Sequence, residues 1–522
     1  MAVKSICYTS YFIANLVKPH CNIKKIIKFA DKKTIENIIQ SNMQKKSIYR
    51  VMSLILICLM AFGGSLTANA QKKHKKPHKK PQRITASAPA PDWMGNAVIY
   101  EANLRQGTAD RNLKGLQKEL PRLKDLGVNI IWLMPIHPIS EKNRKGELGS
   151  YYAVQDYKAV NPEFGTMEDF VEFVNEAHKL GMKVILDEVC NHTGADNAWV
   201  TEHPEYYAKD ANGDFISPFD WTDVYKLDYS NPATRAAMTD ALKFWIEEAD
   251  IDGYRCDVAM EVPVDYWEEA IPQLREIKPI FMLAEASEPA LLGKAFNADY
   301  AWPMKDVFNA IAFTFGENKY AKDNNKSYPA TMGQAIFDLI NKQEKEYPAG
   351  SIHMNMITNH DLNSWEGTEF ERYGKGYGAF AILSYTLPGM PMMYTGQEVG
   401  FNHPFEFFTQ DPVVPNYQSN AYTTFYEMLN SLKANHSALN AGNPQGQMIQ
   451  YPTVGDDVIA FSRTAPGDKV VVISNLSNKE NMVTFPDLSP SLDSMINYFS
   501  GAPAEMPDHL GPWETMVFVT PN

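Results

Sequence analysis

The chain has 522 residues and a formal net charge of −13, with 44% hydrophobic and 12% aromatic residues; that excludes global disorder and leaves room for more than one domain. The charge is unevenly spread: residues 1–92 carry 17 Lys and Arg against 3 Asp and Glu, leaving 32 against 59 for residues 93–522. So acidic a main body argues against a nucleic-acid partner and suits a protein acting on a neutral substrate.

The amino end is expected to be an address rather than part of the fold. Met43 is taken as the true start, with residues 1–42 a misread upstream extension. Lys45, Lys46 and Arg50 precede an apolar run from Val51, and Ala68-Asn69-Ala70 supplies a small-x-small cleavage site, so residues 43–70 have the form of a signal peptide. Gly, Ser, Thr and Asn within the run disfavour a retained membrane span. Export to the periplasm or the cell exterior is therefore expected, with no stable membrane span after cleavage. Residues 71–92, containing "QKKHKKPHKKPQR", make a basic, Pro-containing disordered linker. Beyond it only Cys190 and Cys256 remain. Two thiols make no disulfide framework, and both are expected to be free and buried.

From residue 97 strand-like and helical text alternate. "AVIYEANL" is followed by "LKGLQKELPRLKDLG", where Leu113, Leu116, Leu120 and Leu123 form one stripe and Gly127 ends the helix. "NIIWLMPI" leads to "TMEDFVEFVNEAHKLG", capped by Thr166 and stopped by Gly181. "KVILDEV", "GYRCDV", "IFMLAEA", the weaker "ADYAW", "HMNMITNH" and "MPMMYTGQEV" complete eight strands, most of them separated by helical text. Near-continuous apolar strands suit a parallel sheet covered on both faces. The economical solution over residues 93–440 is an α/β fold, a (β/α)₈ TIM barrel. An open doubly wound sheet is the alternative, weakened because no G-x-G-x-x-G loop follows the first strand. Residues 193–230, aromatic and Asp-rich, form an inserted small domain after the third strand. Residues 441–522 carry short β-like runs ("MIQYPTV", "VIAFSRT", "KVVVISNL", "NMVTF", "TMVFV") and are expected to form a β-sandwich.

Polar residues close the strands. The third ends in Asp187 and continues to Asn191-His192; the fourth carries Arg255 and Asp257; the fifth ends at Glu285; the seventh at Asn359-His360-Asp361. Carboxyl ends of barrel strands form the catalytic face, so these residues gather at one pocket. Paired carboxylates with neither a Cys/His metal cluster nor a phosphate loop suggest glycoside chemistry. Asp257, beside Arg255, suits a nucleophile that must stay ionised. Glu285, among Leu283, Ala284 and Ala286, suits an acid that must hold its proton.

"DEVCNH", "GYRCDV", the Glu of "LAEA" and "NHD", in that order, resemble the four signature regions of the α-amylase family (glycoside hydrolase family 13). "GSYYAVQDYKAVNPEFGT" and "LPGMPMMYTGQE" resemble its segments around the second and eighth strands. The resemblance, over residues 93–522, implies a bacterial exported enzyme that hydrolyses α-1,4-glucosidic bonds of starch or malto-oligosaccharides with retention, through a covalent glucosyl-enzyme intermediate. It implies Asp257 as nucleophile, Glu285 as acid/base and Asp361 as third carboxylate. Arg255, His192, His360 and Tyr152 are implied as substrate-binding residues, and Asp187 as structural. Cyclomaltodextrinase, neopullulanase, α-glucosidase-like or transglycosylating activity on short chains is the alternative. A non-catalytic glucan-binding relative is a remote one, disfavoured because all three carboxylates are present. No cofactor is required for the chemistry. A structural calcium would use Asn191, but Lys226 stands where family members often place a calcium-binding Asp, and its ammonium would oppose a cation. Met260-Glu261 replaces a common Lys-His pair. Glu188 has no assigned role.

Overall fold

A computed structural model describes residue 88 and residues 91–323, 328–442 and 445–521. The residues expected to be an upstream extension and a signal peptide, and most of the expected basic linker, lie outside the described residues. Within them no helix is long and apolar enough to cross a membrane.

Eight parallel strands close a barrel: β1 (Ile99–Ala102), β2 (Ile130–Leu133), β3 (Lys183–Glu188), β4 (Gly253–Cys256), β5 (Phe281–Ala284), β6 (Ala298–Tyr300), β7 (Ile352–Asn355) and β8 (Met390–Tyr394). They follow one another round the ring in chain order, and β8 closes on β1. Among the described residues, eight helices of ten residues or more pack outside: α1 (Leu113–Asp125), α2 (Met167–Lys179), α3 (Pro232–Ala249), α4 (Val264–Ile277), α5 (Trp302–Thr314), α6 (Gln334–Glu346), α7 (Tyr377–Thr386) and α8 (Ala421–Asn435). The TIM barrel is thus the architecture, and the open-sheet alternative falls. The alternation lapses once: β5 reaches β6 through turns alone.

Local signals set the helix ends. Thr166 and Asp169 form a reciprocal capping box at α2, and the Asn112 side chain accepts from Gly115 N at α1. Gly127 and Gly181, just past these helices, have φ of +96° and +73°, a conformation glycine adopts without steric cost.

Strand alternation builds two cores. Ile99, Ile130, Trp132, Ile185, Phe281, Leu283, Ala298, Tyr300, Ile352, Met354, Met390 and Met392 fill the barrel interior. Tyr100, Ile131, Val184, Leu186, Tyr254, Cys256 and Met282 face the helices instead. Both thiols are free and buried. Two residues further along the inner face, Glu101 follows Ile99, Asp187 follows Ile185, Arg255 follows Gly253 and Glu285 follows Leu283. The inner wall therefore turns from apolar to charged toward the carboxyl ends of the strands.

The insertion begins with a short ribbon in which His192–Gly194 pairs antiparallel with Val224–Lys226. The carboxy-terminal region forms a five-stranded sheet from Gln447–Tyr451, Val458–Ala465, Asp468–Asn475, Thr515–Val519 and Ile496–Asn497, consistent with the expected β-sandwich. One run departs from expectation: of "NMVTF" only Asn481–Met482 is strand, and it pairs with His509–Leu510 outside the main sheet. Alternating apolar residues there pack against a separate cluster through Val483 and Phe485 without ladder pairing.

Candidate active site

Arg255 organises the site. It is fully buried on β4, with Nη1 donating to Asp187 Oδ1 at 2.7 Å and to Asp257 Oδ1 at 3.0 Å, and Nε to Tyr300 OH at 3.1 Å. Its Nη2 lies 2.9 Å from Glu285 Oε2, close enough for ion pairing but without hydrogen-bond alignment. Burying a guanidinium is costly unless several carboxylates face it, and three do.

Backbone geometry presents the two carboxylates beyond the strand ends. Asp257 N donates to Glu188 O at 2.9 Å and Glu285 N to Cys256 O at 3.0 Å, extending the parallel pairing past β4 and β5. Val258 then takes a φ of +35°, rare for a β-branched residue and strained. That turn aims its N–H at Glu285 Oε2, 2.8 Å away.

A second chain of contacts rises from β1. His360 Nδ1 hydrogen-bonds the buried Glu101 carboxylate, and its Nε2 lies 2.8 Å from Tyr152 OH. Tyr152 OH in turn donates to Asp187 Oδ2 at 3.0 Å, which also accepts from Trp132 Nε1 at 3.3 Å. The Tyr152 ring stacks on His360, with Phe407 beyond it.

The cleft above has a volume of ≈ 580 Å³; Tyr152, His192, Asp257, Glu285, His360 and Asp361 all line it. The structure so brings together every expected carboxylate, both His residues and Tyr152. One expectation is corrected: Arg255 lines no part of the cleft, because it is sealed behind the carboxylates. Its guanidinium offers no surface to the cleft. Asp187 is likewise buried and absent from the cleft lining.

Burial raises the carboxyls, and the Arg255 charge offsets it only in part. Asp257 is pushed up to about 6 and Glu285 to about 7, desolvation outweighing Arg255 in each. Asp187 is likewise raised to about 6 by burial against the pull of Arg255. Burial disfavours charge on His360, yet Asp361 and Glu101 prevail and lift it to about 9, so it stays protonated at neutral pH. Burial lowers His192 to about 3 and keeps it neutral.

Sequence inspection missed the cleft walls. Trp221 and Val224 of the insertion, Lys145 paired to Asp223 at 2.9 Å, Trp365 at the end of the short helix His360–Trp365 after β7, and Phe407 and Phe408 from the segment after β8 all lie there. Phe219 packs on Trp221 with its ring centroid 4.8 Å away; it is 63% exposed. Glu101 and Trp132 were also missed, though a Glu within the apolar "IYEA" is a signal. Asn191 directs its amide Nδ2 to His192 Nδ1 at 3.2 Å, while Lys226, the ladder partner of His192, pairs with Glu261 Oε2 at 3.2 Å. Glu188 is buried 3.4 Å from His137 Nε2, on the helix-facing side of β3; its carboxylate makes no hydrogen bond.

Comparison with known proteins places this geometry among relatives. The family description "Alpha amylase, catalytic domain" matches residues 98–226 and 210–428. "Alpha-amylase 3" of Dictyoglomus thermophilum is 25% identical over 509 residues, covering 82% of this chain and 94% of that protein. A "Cyclomaltodextrinase" of Thermoanaerobacter pseudethanolicus is 24% identical over 444 residues, covering 76% and 72%. Among solved structures, a noncanonic maltogenic alpha-amylase of Thermotoga neapolitana matches with a TM-score of 0.70 at 28% identity, over 81% of this chain and 98% of that one.

Proposed function

Because this chain belongs to the α-amylase family, and is a glycoside hydrolase, we propose that it cleaves α-1,4-glucosidic bonds of starch-type glucans with retention, in the manner of an α-amylase. Asp257 attacks the anomeric carbon while Glu285 gives its proton to the leaving oxygen, and a covalent glucosyl ester forms on Asp257. Glu285, now ionised, takes a proton from water as that water attacks the same carbon and releases Asp257. Two inversions restore the original configuration. Asp361 and the protonated His360 bind hydroxyls of the distorted sugar, His192 donates from the insertion, and Tyr152 offers a stacking face.

The observation that carries this is the placement of Asp257 and Glu285 on one buried guanidinium, both open to the same cleft. Arg255 steadies the charge on Asp257, and Glu285, the higher of the two, retains the proton an acid needs. The exposed aromatics Phe219 and Trp365 at the cleft rim favour chains that run beyond the pocket, since each ring gives a stacking surface for a further sugar. The similarity to a cyclomaltodextrinase favours the second reading, action on cyclic and short glucans. The chain is further proposed to be a bacterial exported protein, on the basic, apolar and small-residue order of residues 43–70. It is also proposed to work without calcium, since Lys226, a cation paired with Glu261, sits opposite His192, the neighbour of Asn191 in the chain.

A product profile separates the readings. The α-amylase reading expects amylose to lose iodine staining quickly to mixed malto-oligosaccharides, with maltose intact and cyclodextrin slow. Cyclodextrin consumed faster than amylose would favour the second reading. No cleavage of any α-glucan would sink both.

A further inference from the structure

The loop between β2 and α2 gives Lys145, Ser150 and Tyr152 to the cleft, and it is held on both sides of Lys145. Before it, Glu141 N and Lys142 N donate to Asp196 Oδ2 of the insertion at 2.8 and 3.1 Å. Asn143 takes a φ of +60°, and its Nδ2 donates to Thr222 O at 3.3 Å. The Arg144 guanidinium turns back on the loop itself, donating from Nε to Ser140 O and from Nη2 to Ile139 O, each at 2.9 Å. Beyond it, Leu148 N donates to Phe408 O at 2.9 Å. The insertion and the segment after β8 therefore fix the backbone that carries Lys145.

The side chain is fixed as well. Its ammonium lies 2.9 Å from Asp223 Oδ1; the Asp223 side chain is 5% exposed and that of Lys145 34%. A buried carboxylate so anchors a cation whose surface stays open. Among the described residues lining the cleft, Lys145 is the only Lys or Arg, facing Asp220, Asp223, Asp257, Glu285 and Asp361. An ammonium has three donors, and among the described residues Asp223 is its one partner, so two remain for a ligand. A pair this exposed on one side contributes little to stability. A donor already ordered over a cleft instead spares the cost of ordering it when a hydroxyl arrives.

Barrel order gives the part of a glucan that Lys145 meets. The strands follow one another round the ring. Glu285, the proton donor to the leaving oxygen, follows β5, so the leaving part of the chain departs on that side. Lys145 follows β2, three strands round, on the loop that also carries Tyr152, the stacking face for the sugar that stays. We propose that Lys145 is a specificity-determining residue, donating to hydroxyls of a retained sugar at least one unit from the cleaved bond, with Asp223 as its positioning residue. This rests on the retaining α-glucan cleavage proposed above.

The test uses two substrates with the same small leaving group, α-glucosyl fluoride and α-maltotriosyl fluoride. They differ only in retained sugars beyond the cleaved one. Fluoride release is measured for the full-length parent and for Lys145→Met, Lys145→Arg and Asp223→Asn. The readout is the ratio of kcat/KM for maltotriosyl fluoride to that for glucosyl fluoride, which does not depend on how much of a variant folds. The ratio is expected to fall at least tenfold in Lys145→Met and in Asp223→Asn, and less in Lys145→Arg, which keeps the charge and the donors. A merely structural pair would slow both substrates alike. A ratio within twofold of the parent's in Lys145→Met overturns the proposal, while fluoride release by the parent leaves the glucan-cleaving reading in place. A parent that releases fluoride from neither substrate refutes that reading and the proposal with it.

Discussion

Arg255 holds three carboxylates at 2.7, 3.0 and 2.9 Å and yet never reaches the cleft. Its value lies in the difference it creates. Without it, burial alone would leave Asp257 protonated and useless as a nucleophile. With it, Asp257 ionises above about 6 while Glu285 keeps its proton up to about 7. The sign of the pH dependence follows. Below the lower value Asp257 gains a proton and attack is lost; above the upper value Glu285 loses its proton and leaving-group protonation is lost. A plot of kcat/KM for a malto-oligosaccharide is expected to be a narrow bell between about pH 6 and 7, falling about tenfold per pH unit on each side. The two limbs belong to the interacting pair rather than to either residue alone. A plateau extending to pH 9 would contradict this account of Glu285.

At the scale of elements, β4 shows how sequence makes room for charge. Gly253 has a φ of +148°, and a Cβ there would lie 1.8 Å from Phe281 O. Close approach of β4 to β5 is what lets Arg255 span from Asp187 to Glu285. Gly253→Ala is therefore expected to destabilise the fold by at least the ~1–3 kcal/mol of backbone strain, with activity reduced in the fraction that folds; thermal melting and soluble yield check it. An unchanged melting temperature would show the strand can relax. The strands and main helices were legible because period and caps agree locally: Thr166 and Gly181 bound α2 as their chemistry dictates. The turn connection between β5 and β6 and the fate of "NMVTF" were not, because tertiary pairing rather than local pattern decides them.

At the scale of the molecule, the floor of the candidate site was legible and its walls were not. Asp257 and Glu285 directly follow their strands, while His192 begins the ribbon just past β3 and His360 and Asp361 open a short helix just past β7, so barrel closure brings all five to one end of the barrel. Trp221 and Phe407 reach the cleft from irregular segments and Trp365 from a helix of 6 residues, too short to show a period, so nothing in the chain order announced them. Arg255 could be placed beside Asp257 by its spacing, but its burial behind the carboxylates needed the closed barrel. The insertion is tied to the barrel through Lys226 and Glu261, 3.2 Å apart and each about one-third exposed. Such a pair contributes little by itself, but a cation opposite His192 is the ground on which the protein is proposed to work without calcium. Exhaustive chelation is thus expected to leave both melting temperature and amylose hydrolysis unchanged; a fall in either, restored by calcium, would contradict this.

The central claim is that Asp257 carries the glucosyl intermediate. It is tested most directly by trapping that ester with a 5-fluoroglucosyl fluoride and mapping the adduct by mass spectrometry. The account predicts one added glucosyl unit on the peptide containing Asp257, absent from Asp257→Asn. An adduct on Glu285 or Asp361, or turnover of the reagent with inversion and no adduct, would contradict it.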